Sequence, residues 1–285
     1  MATQLSTTNH SRDSAGLTYV YPVISRRAGG VSIGINLNPN NACNWRCVYC
    51  QVPNLTRGAA PLIDLVLLKQ ELSGFLDDVL SGRFLEERVE TTSHRIVDVA
   101  LSGNGEPTSA KEFPLVIKLI GTMLEQRGLA DTVKLRVITN GSLIARDYVQ
   151  EGLSILGEMA GEVWFKLDAG TSAGFSRINN VELTSQSVIQ NLVRSAALCS
   201  TWVQTCLFAV NGVEPNEDAI DSYLALLSEV MTQDLKRGVK GVLLYGLARP
   251  SLQPEASQLS NLHTGRLEEI AERIRALGLE VKVSH

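Results

Sequence analysis

The stretch VSIGINL, residues 31–37, sets Val31, Ile33, Ile35 and Leu37 at alternate positions and runs into the turn-rich NPNN of residues 38–41, so it reads as a β-strand that stops at a loop. The loop that follows contains CNWRCVYCQ, residues 43–51, with three of the five cysteines of the chain. Beyond it, Leu65, Leu68, Leu72, Leu76 and Val79 recur at three- and four-residue steps, the apolar stripe of an amphipathic helix, and Asp64 stands where a cap is wanted. This order decides the fold because it repeats. Strands are expected at 96–101, 133–139, 163–167, 203–210 and 239–245, alternating with helices at 110–126, 145–156, 184–199, 216–231 and 265–277, and 279–283 reads as one more strand.

Strands separated by helices pair in parallel, since each must cross back over the sheet before it pairs in the same direction. The expectation is an α/β fold with a parallel sheet. It is either a partial or closed TIM-like (β/α) barrel of about six βα units or an open doubly wound sheet, and in both of these ligands bind at the carboxyl ends of the strands. No linker or compositional shift divides the chain. Residues 18–285 are therefore expected to form one domain, and the polar residues 1–17 a disordered tail.

Composition narrows the function classes. With 44% hydrophobic and 20% charged residues, the 285-residue chain is neither disordered nor collagen-like. Its 26 basic and 30 acidic residues give a formal charge of -4, which excludes the uniformly basic surface of a general nucleic-acid binder and leaves room for a local basic groove. No run approaches the roughly 20 apolar residues of a spanning helix, and the start lacks the apolar core of a secretion signal. A cytoplasmic protein with no membrane partner is expected. An odd cysteine count with three packed between Cys43 and Cys50 points to metal binding rather than disulfides.

Cys43, Cys47 and Cys50, with three and then two residues between them, can wrap one compact inorganic centre at the ligand end of the first strand. Three thiolates on a four-iron four-sulfur cube leave one iron open, whereas a fourth would close it. A structural zinc site is the alternative, but it wants a fourth ligand, and none of His10, His94, His263 and His285 is close in sequence. Cys199 and Cys206 are expected on the opposite face, where helices end and strands begin, as core thiols.

A Cys-x3-Cys-x2-Cys loop after the first strand of a (β/α) barrel, with the aromatic Tyr49 just before the third cysteine, resembles the radical S-adenosylmethionine (radical SAM) superfamily. The likeness covers nearly the whole chain from Tyr21 onward. It implies that Cys43, Cys47 and Cys50 hold a 4Fe-4S cluster whose open iron chelates S-adenosyl-L-methionine. One electron, from a reductant such as flavodoxin or ferredoxin, would then cleave the sulfonium to a 5′-deoxyadenosyl radical that abstracts hydrogen from a substrate. Tyr49 would contact the cofactor or simply pack.

The other strand ends extend the resemblance. LSGNGEPT, residues 101–108, is similar to the Gly-Gly-Glu motif of that superfamily, with Asn104 interrupting the glycines. The likeness maps Gly103, Gly105 and Glu106 onto the cofactor's methionyl amino group, while Gly-Glu-Pro-Thr is also an ordinary strand-to-helix turn. Thr139 and Asn140 in ITNGSL would hold its carboxylate or ribose, or belong to a turn in which Ser142 caps a helix. In VWFKLDAGT, period-two alternation puts Trp164, Lys166 and Asp168 on one side; Lys166 and Asp168 would reach the site or form a salt bridge at the barrel mouth. Arg177 and Asn179, Asn211 and Gly212, and Tyr245, Gly246 and Arg249 are further strand-end candidates. Arg249 is marked by a guanidinium that suits carboxylate or phosphate. Lys166, Asp168 and Arg249 are the substrate-side candidates.

The entry YPVISRRAGG, residues 21–30, together with SGNGEPT and KLDAG, resembles the branch of wyosine tRNA-base synthase homologues and their bacterial relatives. No cysteine precedes Cys43, whereas the tRNA enzymes carry a further cluster on N-terminal cysteines. A small-molecule or peptide substrate is therefore expected ahead of tRNA, and Ser25, Arg26 and Arg27 are left as structural, anion-binding or RNA-contacting residues. A non-enzymatic iron-sulfur or metal-binding module is the rival class.

Overall fold

The computed structural model describes residues 16–25, 30–89, 95–233 and 238–284. Most of the expected N-terminal tail, Arg26 and Arg27, and the other short basic pair Lys236 and Arg237 lie outside the described residues. Eight strands form one sheet: β1 (Val20–Ser25), β2 (Gly30–Ile35), β3 (Ile96–Leu101), β4 (Lys134–Thr139), β5 (Glu162–Lys166), β6 (Ser200–Cys206), β7 (Val239–Tyr245) and β8 (Glu280–Ser284). They lie side by side in chain order. β1 runs antiparallel to β2, and every later neighbour pairs in parallel. With β1 and β8 at its two edges, the sheet is a partial barrel and not a closed one.

The crossovers are helical: α1 (Leu65–Leu80), α2 (Arg83–Arg88), α3 (Phe113–Gln126), α4 (Asp147–Glu158), α5 (Ser172–Asn179), α6 (Ser185–Leu198), α7 (Glu217–Met231) and α8 (Thr264–Arg275). α1 forms as its pattern dictates. Asp64 Oδ1 accepts from Val66 N at 3.0 Å and Leu67 N at 2.9 Å, a cap that stabilises by about 1 kcal/mol. Leu68, Leu72 and Leu76 are fully buried, each contributing roughly 1.5–3 kcal/mol of burial.

One face of the sheet carries Ile33, Ile35, Val99, Leu101, Val137, Phe165, Val203 and Leu244 into the core with the helices. The opposite face carries Ser32, Asp98, Trp164, Lys166 and Gln204, which line a cavity. A doubly wound sheet would cover both faces with helices, so this asymmetry selects the barrel. Among the described residues no helix is long and apolar enough to cross a membrane.

Three elements were not anticipated. β1 contains Pro22, which has no N–H to donate and is tolerated because the strand is at an edge. Its entry is held from outside the sheet: the buried Glu71 carboxylate on α1 accepts from Thr18 N and Tyr19 N at 2.8 Å and from Val20 N at 3.3 Å. Leu17, one of the residues expected as tail, packs against the core. α2 and α5 are too short to show an apolar period.

Candidate functional site

At the carboxyl ends of the strands lies a cavity of about 310 Å³ into which all three loop cysteines project. Trp45 N donates to Cys43 Sγ at 3.4 Å, and Asn179 Nδ2 donates to Cys47 Sγ at 3.2 Å. Burial pushes the Cys43 and Cys47 thiols up to about 12, against these hydrogen bonds and, for Cys47, against the nearby Lys166 ammonium. Metal loading at neutral pH must therefore displace protons. Among the described residues no three His, Cys, Asp or Glu side chains converge on a single ion. A donor set of thiols alone, spread along one loop and accepting N–H bonds, suits an iron-sulfur centre.

Four neighbouring segments clamp the cysteine loop. The turn after β3 packs against its entry: a Cβ on Gly103 would lie 2.4 Å from Asn36 Oδ1, and one on Gly105 2.1 Å from the Ala42 carbonyl. These glycines thus admit the preceding loop, and Gly103 also adopts φ +142°, a value that favours glycine. Asn104 Nδ2 donates to Asn41 Oδ1 at 2.6 Å, and its N donates to Asn36 Oδ1 at 3.0 Å. From the end of β4, Asn140 Nδ2 donates to Asn44 Oδ1 at 2.8 Å, while Asn44 Nδ2 donates to Ser142 Oγ at 2.7 Å. From α5, the Asn179 and Ile178 carbonyls accept from Arg46 N and Val48 N at 3.2 and 2.8 Å.

The fourth clamp, residues 246–255 after β7, gave no signal in the sequence beyond Gly246 and Arg249. Ser251 Oγ donates to the Val48 carbonyl at 2.7 Å, and Gln253 Nε2 donates to the Val52 carbonyl at 3.0 Å and the Cys50 carbonyl at 3.3 Å. Leu252 N donates to the Cys50 carbonyl at 2.9 Å. Arg46 grips Glu255 through two bonds of 2.7 and 2.8 Å, the strong bidentate form. Short polar side chains of this kind carry no period, so only the fold exposes them.

The Glu106 and Thr139 side chains are bonded to each other at the strand ends. The Glu106 carboxylate, 2% exposed, accepts from Thr108 N, Thr108 Oγ1, Thr139 Oγ1 and Asn140 N at 2.6–3.1 Å, tying the end of β3 to that of β4. Thr139 is fully buried in that tie. Gly103, Gly105, Glu106 and Asn140 nevertheless form part of the cavity wall.

Trp164 and Lys166 both face the cavity, as alternation requires. Lys166 Nζ donates to Tyr245 Oη at 3.2 Å and stands 4.9 Å from the centre of the Tyr49 ring. Burial alone would lower its basicity, but Tyr245, Asp168 and Cys47 together hold it above the ordinary lysine value. Its ammonium faces the cavity, where it can hold an anion. Asp168 lies beyond the strand end and makes no ion pair with Lys166. Its Oδ2 accepts from Tyr49 Oη at 2.5 Å and Asn179 Nδ2 at 3.0 Å, and its Oδ1 from Cys206 N at 3.0 Å. Burial and the Asp168 carboxylate hold the Tyr49 phenol well above its ordinary value, so it remains a donor. Arg249 lines the cavity and its carbonyl accepts from Gln51 Nε2 at 3.1 Å. Arg177 lines a second cavity, of about 270 Å³, shared with Asp168 and Cys206.

The expectation for Cys206 is corrected. β6 ends at Cys206, so this buried thiol lies at the carboxyl end, on the wall of the cysteine cavity, and packs with Val48 and Phe208. Cys199 does lie before β6, at its amino end, where its Sγ donates to the Gly161 carbonyl at 3.3 Å.

No family model matches the chain. Over 213 residues it is 22% identical to a GTPase Obg of Brachyspira hyodysenteriae, a match covering 73% of this chain and 28% of that protein. Over 162 residues it is 26% identical to a UPF0026 protein of Synechocystis, covering 56% of this chain and 52% of that one. The matches thus span about a quarter and about half of the two curated relatives. A radical SAM methyltransferase from Sphaerobacter thermophilus superposes with a TM-score of 0.57 over 93% of this chain and 68% of its own, at 13% identity. The two share the fold, a mostly parallel sheet with helices in a TIM-like barrel.

Proposed function

We propose that this chain is a radical SAM enzyme in which Cys43, Cys47 and Cys50 hold a 4Fe-4S cluster and S-adenosyl-L-methionine binds beside them. The observation that carries the reading is the projection of three thiols from one clamped loop into one cavity at the carboxyl ends of a parallel barrel. When bound, the cluster and S-adenosylmethionine supply a 5′-deoxyadenosyl radical by one-electron reductive cleavage. The chain's own residues do the rest. Trp45 and Val52, both buried, are apolar side chains that line the cavity with the thiols. Asn140 and the Gly103–Glu106 turn border the space next to them, and Asp168 fixes the Tyr49 ring, which also rests on Phe208 at 5.5 Å. Lys166 and Arg249 face the same space as cationic groups for an anionic part of cofactor or substrate. Asp168 is a positioning residue.

The substrate is a small molecule or peptide, and the electron comes from a reductant such as flavodoxin or ferredoxin. The wyosine-like branch and a tRNA substrate rest on the sequence resemblance alone, against the acidic balance of the chain. The likeness to a GTPase Obg carries no nucleotide site here, because the sequence contains no Gly-Lys pair and so no P-loop.

Anaerobic reconstitution with iron and sulfide, followed by reduction in the presence of S-adenosylmethionine, tests the reading. Methionine and 5′-deoxyadenosine should appear slowly without substrate. Full cluster occupancy with no binding of S-adenosylmethionine would make the chain an electron carrier instead.

A further inference from the structure

Below the thiols the cavity continues along the inner face of the barrel, and its polar groups there are mostly committed to one another. Ser32 Oγ and Arg136 both donate to Asp98, and Arg136 Nε also donates to Glu162 Oε2 at 3.0 Å. Tyr21 Oη and Ser102 Oγ share a hydrogen bond of 2.8 Å, and Lys166 is bonded to Tyr245. Gln204 differs. It sits on β6 in register with Lys166 on β5 and Leu243 on β7, is 2% exposed, and lines the cavity. Among the described residues its carboxamide has no hydrogen-bond partner. Its amide opens onto the cavity, where a ligand can reach it. Such a residue inside a cavity is a group kept for a ligand.

We propose that Gln204 recognises the substrate, and that the substrate presents an amide-type edge, an N–H beside a C=O, as in a carboxamide or lactam. The inference rests on reading this space as the substrate chamber of the proposed radical enzyme. A carboxamide offers one donor and one acceptor side by side, and the group that matches both at once is another amide edge. Of the charged side chains on the cavity wall, Lys166 and Arg249 stand against Asp98 and Glu106, so an uncharged polar occupant is admitted as well as an anion held by the two cations. Trp164, Ile138 and Ala100 form an apolar wall that suits a flat group.

The test uses nicotinamide, nicotinate and 3-methylpyridine as probes, titrated by saturation-transfer NMR into wild-type protein and Gln204→Met. Iron content and S-adenosylmethionine cleavage are measured on the same preparations. Nicotinamide should bind the wild type about tenfold more tightly than 3-methylpyridine, the worth of one or two matched hydrogen bonds. Gln204→Met should reduce nicotinamide to the level of 3-methylpyridine, leave 3-methylpyridine unchanged, and not lower the melting temperature. Equal binding of the two probes by the wild type, or unchanged nicotinamide binding by the variant, overturns the proposal. A lower melting temperature for Gln204→Met would make the amide structural, and a preference for nicotinate would assign the chamber to an anion on Lys166. A preparation that cleaves S-adenosylmethionine without discriminating the probes sinks this inference alone. One that discriminates them but holds no cluster sinks the radical reading alone.

Discussion

Gly105→Ala should damage the proposed metal site without touching a thiol. The new Cβ would fall 2.1 Å from the Ala42 carbonyl oxygen and 2.6 Å from Asn38 Cγ. Contacts under 3.0 Å are essentially never seen, so the Ala42 carbonyl must retreat by about 1 Å. That carbonyl already accepts from Asn38 Nδ2 at 2.9 Å and belongs to the residue next to Cys43, whose backbone pairs with Arg57. The clash is with backbone and a hydrogen-bonded amide, neither of which can swing aside. Overpacking of this kind costs about 1–3 kcal/mol. At about 2 °C per kcal/mol for a chain of this length, the melting temperature should fall by about 2–6 °C. Because the displaced atoms lead directly into Cys43, iron per chain after anaerobic reconstitution should fall well below the wild type in protein that is still folded. Gly74→Ala is the control: it lies on the exposed side of α1 with nothing within 4 Å of the new Cβ, and should gain up to about 1 kcal/mol from helix propensity with iron unchanged. A Gly105→Ala protein that melts like the wild type and loads fully would refute the reading of this turn as the seat of the cysteine loop.

Alanine at Cys43, Cys47 or Cys50 should each abolish stable cluster binding, whereas Cys199→Ala should not; Cys206→Ala now tests the three-ligand count, since loss of iron in folded protein would make that thiol a fourth ligand. Ser251→Ala and Gln253→Ala each release the cysteine loop from bonds worth about 1 kcal/mol apiece, and reconstituted protein should lose its cluster faster to a chelator while far-UV circular dichroism stays unchanged. Burial raises the Glu106 carboxyl above its ordinary value in spite of its hydrogen bonds from Thr108, Thr139 and Asn140. The folded chain therefore keeps a proton that the unfolded chain releases, and stability drains as pH rises from 4.5. The advantage of wild type over Glu106→Gln in urea should be larger at about pH 5 than at about pH 8; the opposite trend would mean that the hydrogen bonds outweigh burial. Labelled tRNA titrated at two salt concentrations should bind only in the roughly 10⁻⁴ to 10⁻⁶ M range of non-specific contact, and submicromolar binding with a steep salt slope would restore the RNA-modifying reading.

The sequence by itself determined the alternation of strands and helices, the parallel sheet, the side of β5 that carries Trp164 and Lys166, and the cysteine loop at the ligand end. These are local matters: a period of two or of about three and a half residues, a cap such as Asp64, and the spacing of three thiols are written within a few turns of chain. Tertiary structure alone decided that the sheet stays open with Pro22 in an edge strand. It also decided that β6 stops at Cys206, where pairing with Tyr245 on β7 ends, so that the thiol faces the site rather than the far end. The hydrogen-bond partners of Asp168, Glu106 and Gln253 were set at the same level. Glu106 grips Thr139 and Asn140, Asp168 holds Tyr49 across 119 residues, and Gln253 reaches Val52 across 201. A polar side chain has no period of its own, and its role is set by whichever donors and acceptors the folded chain brings within about 3 Å.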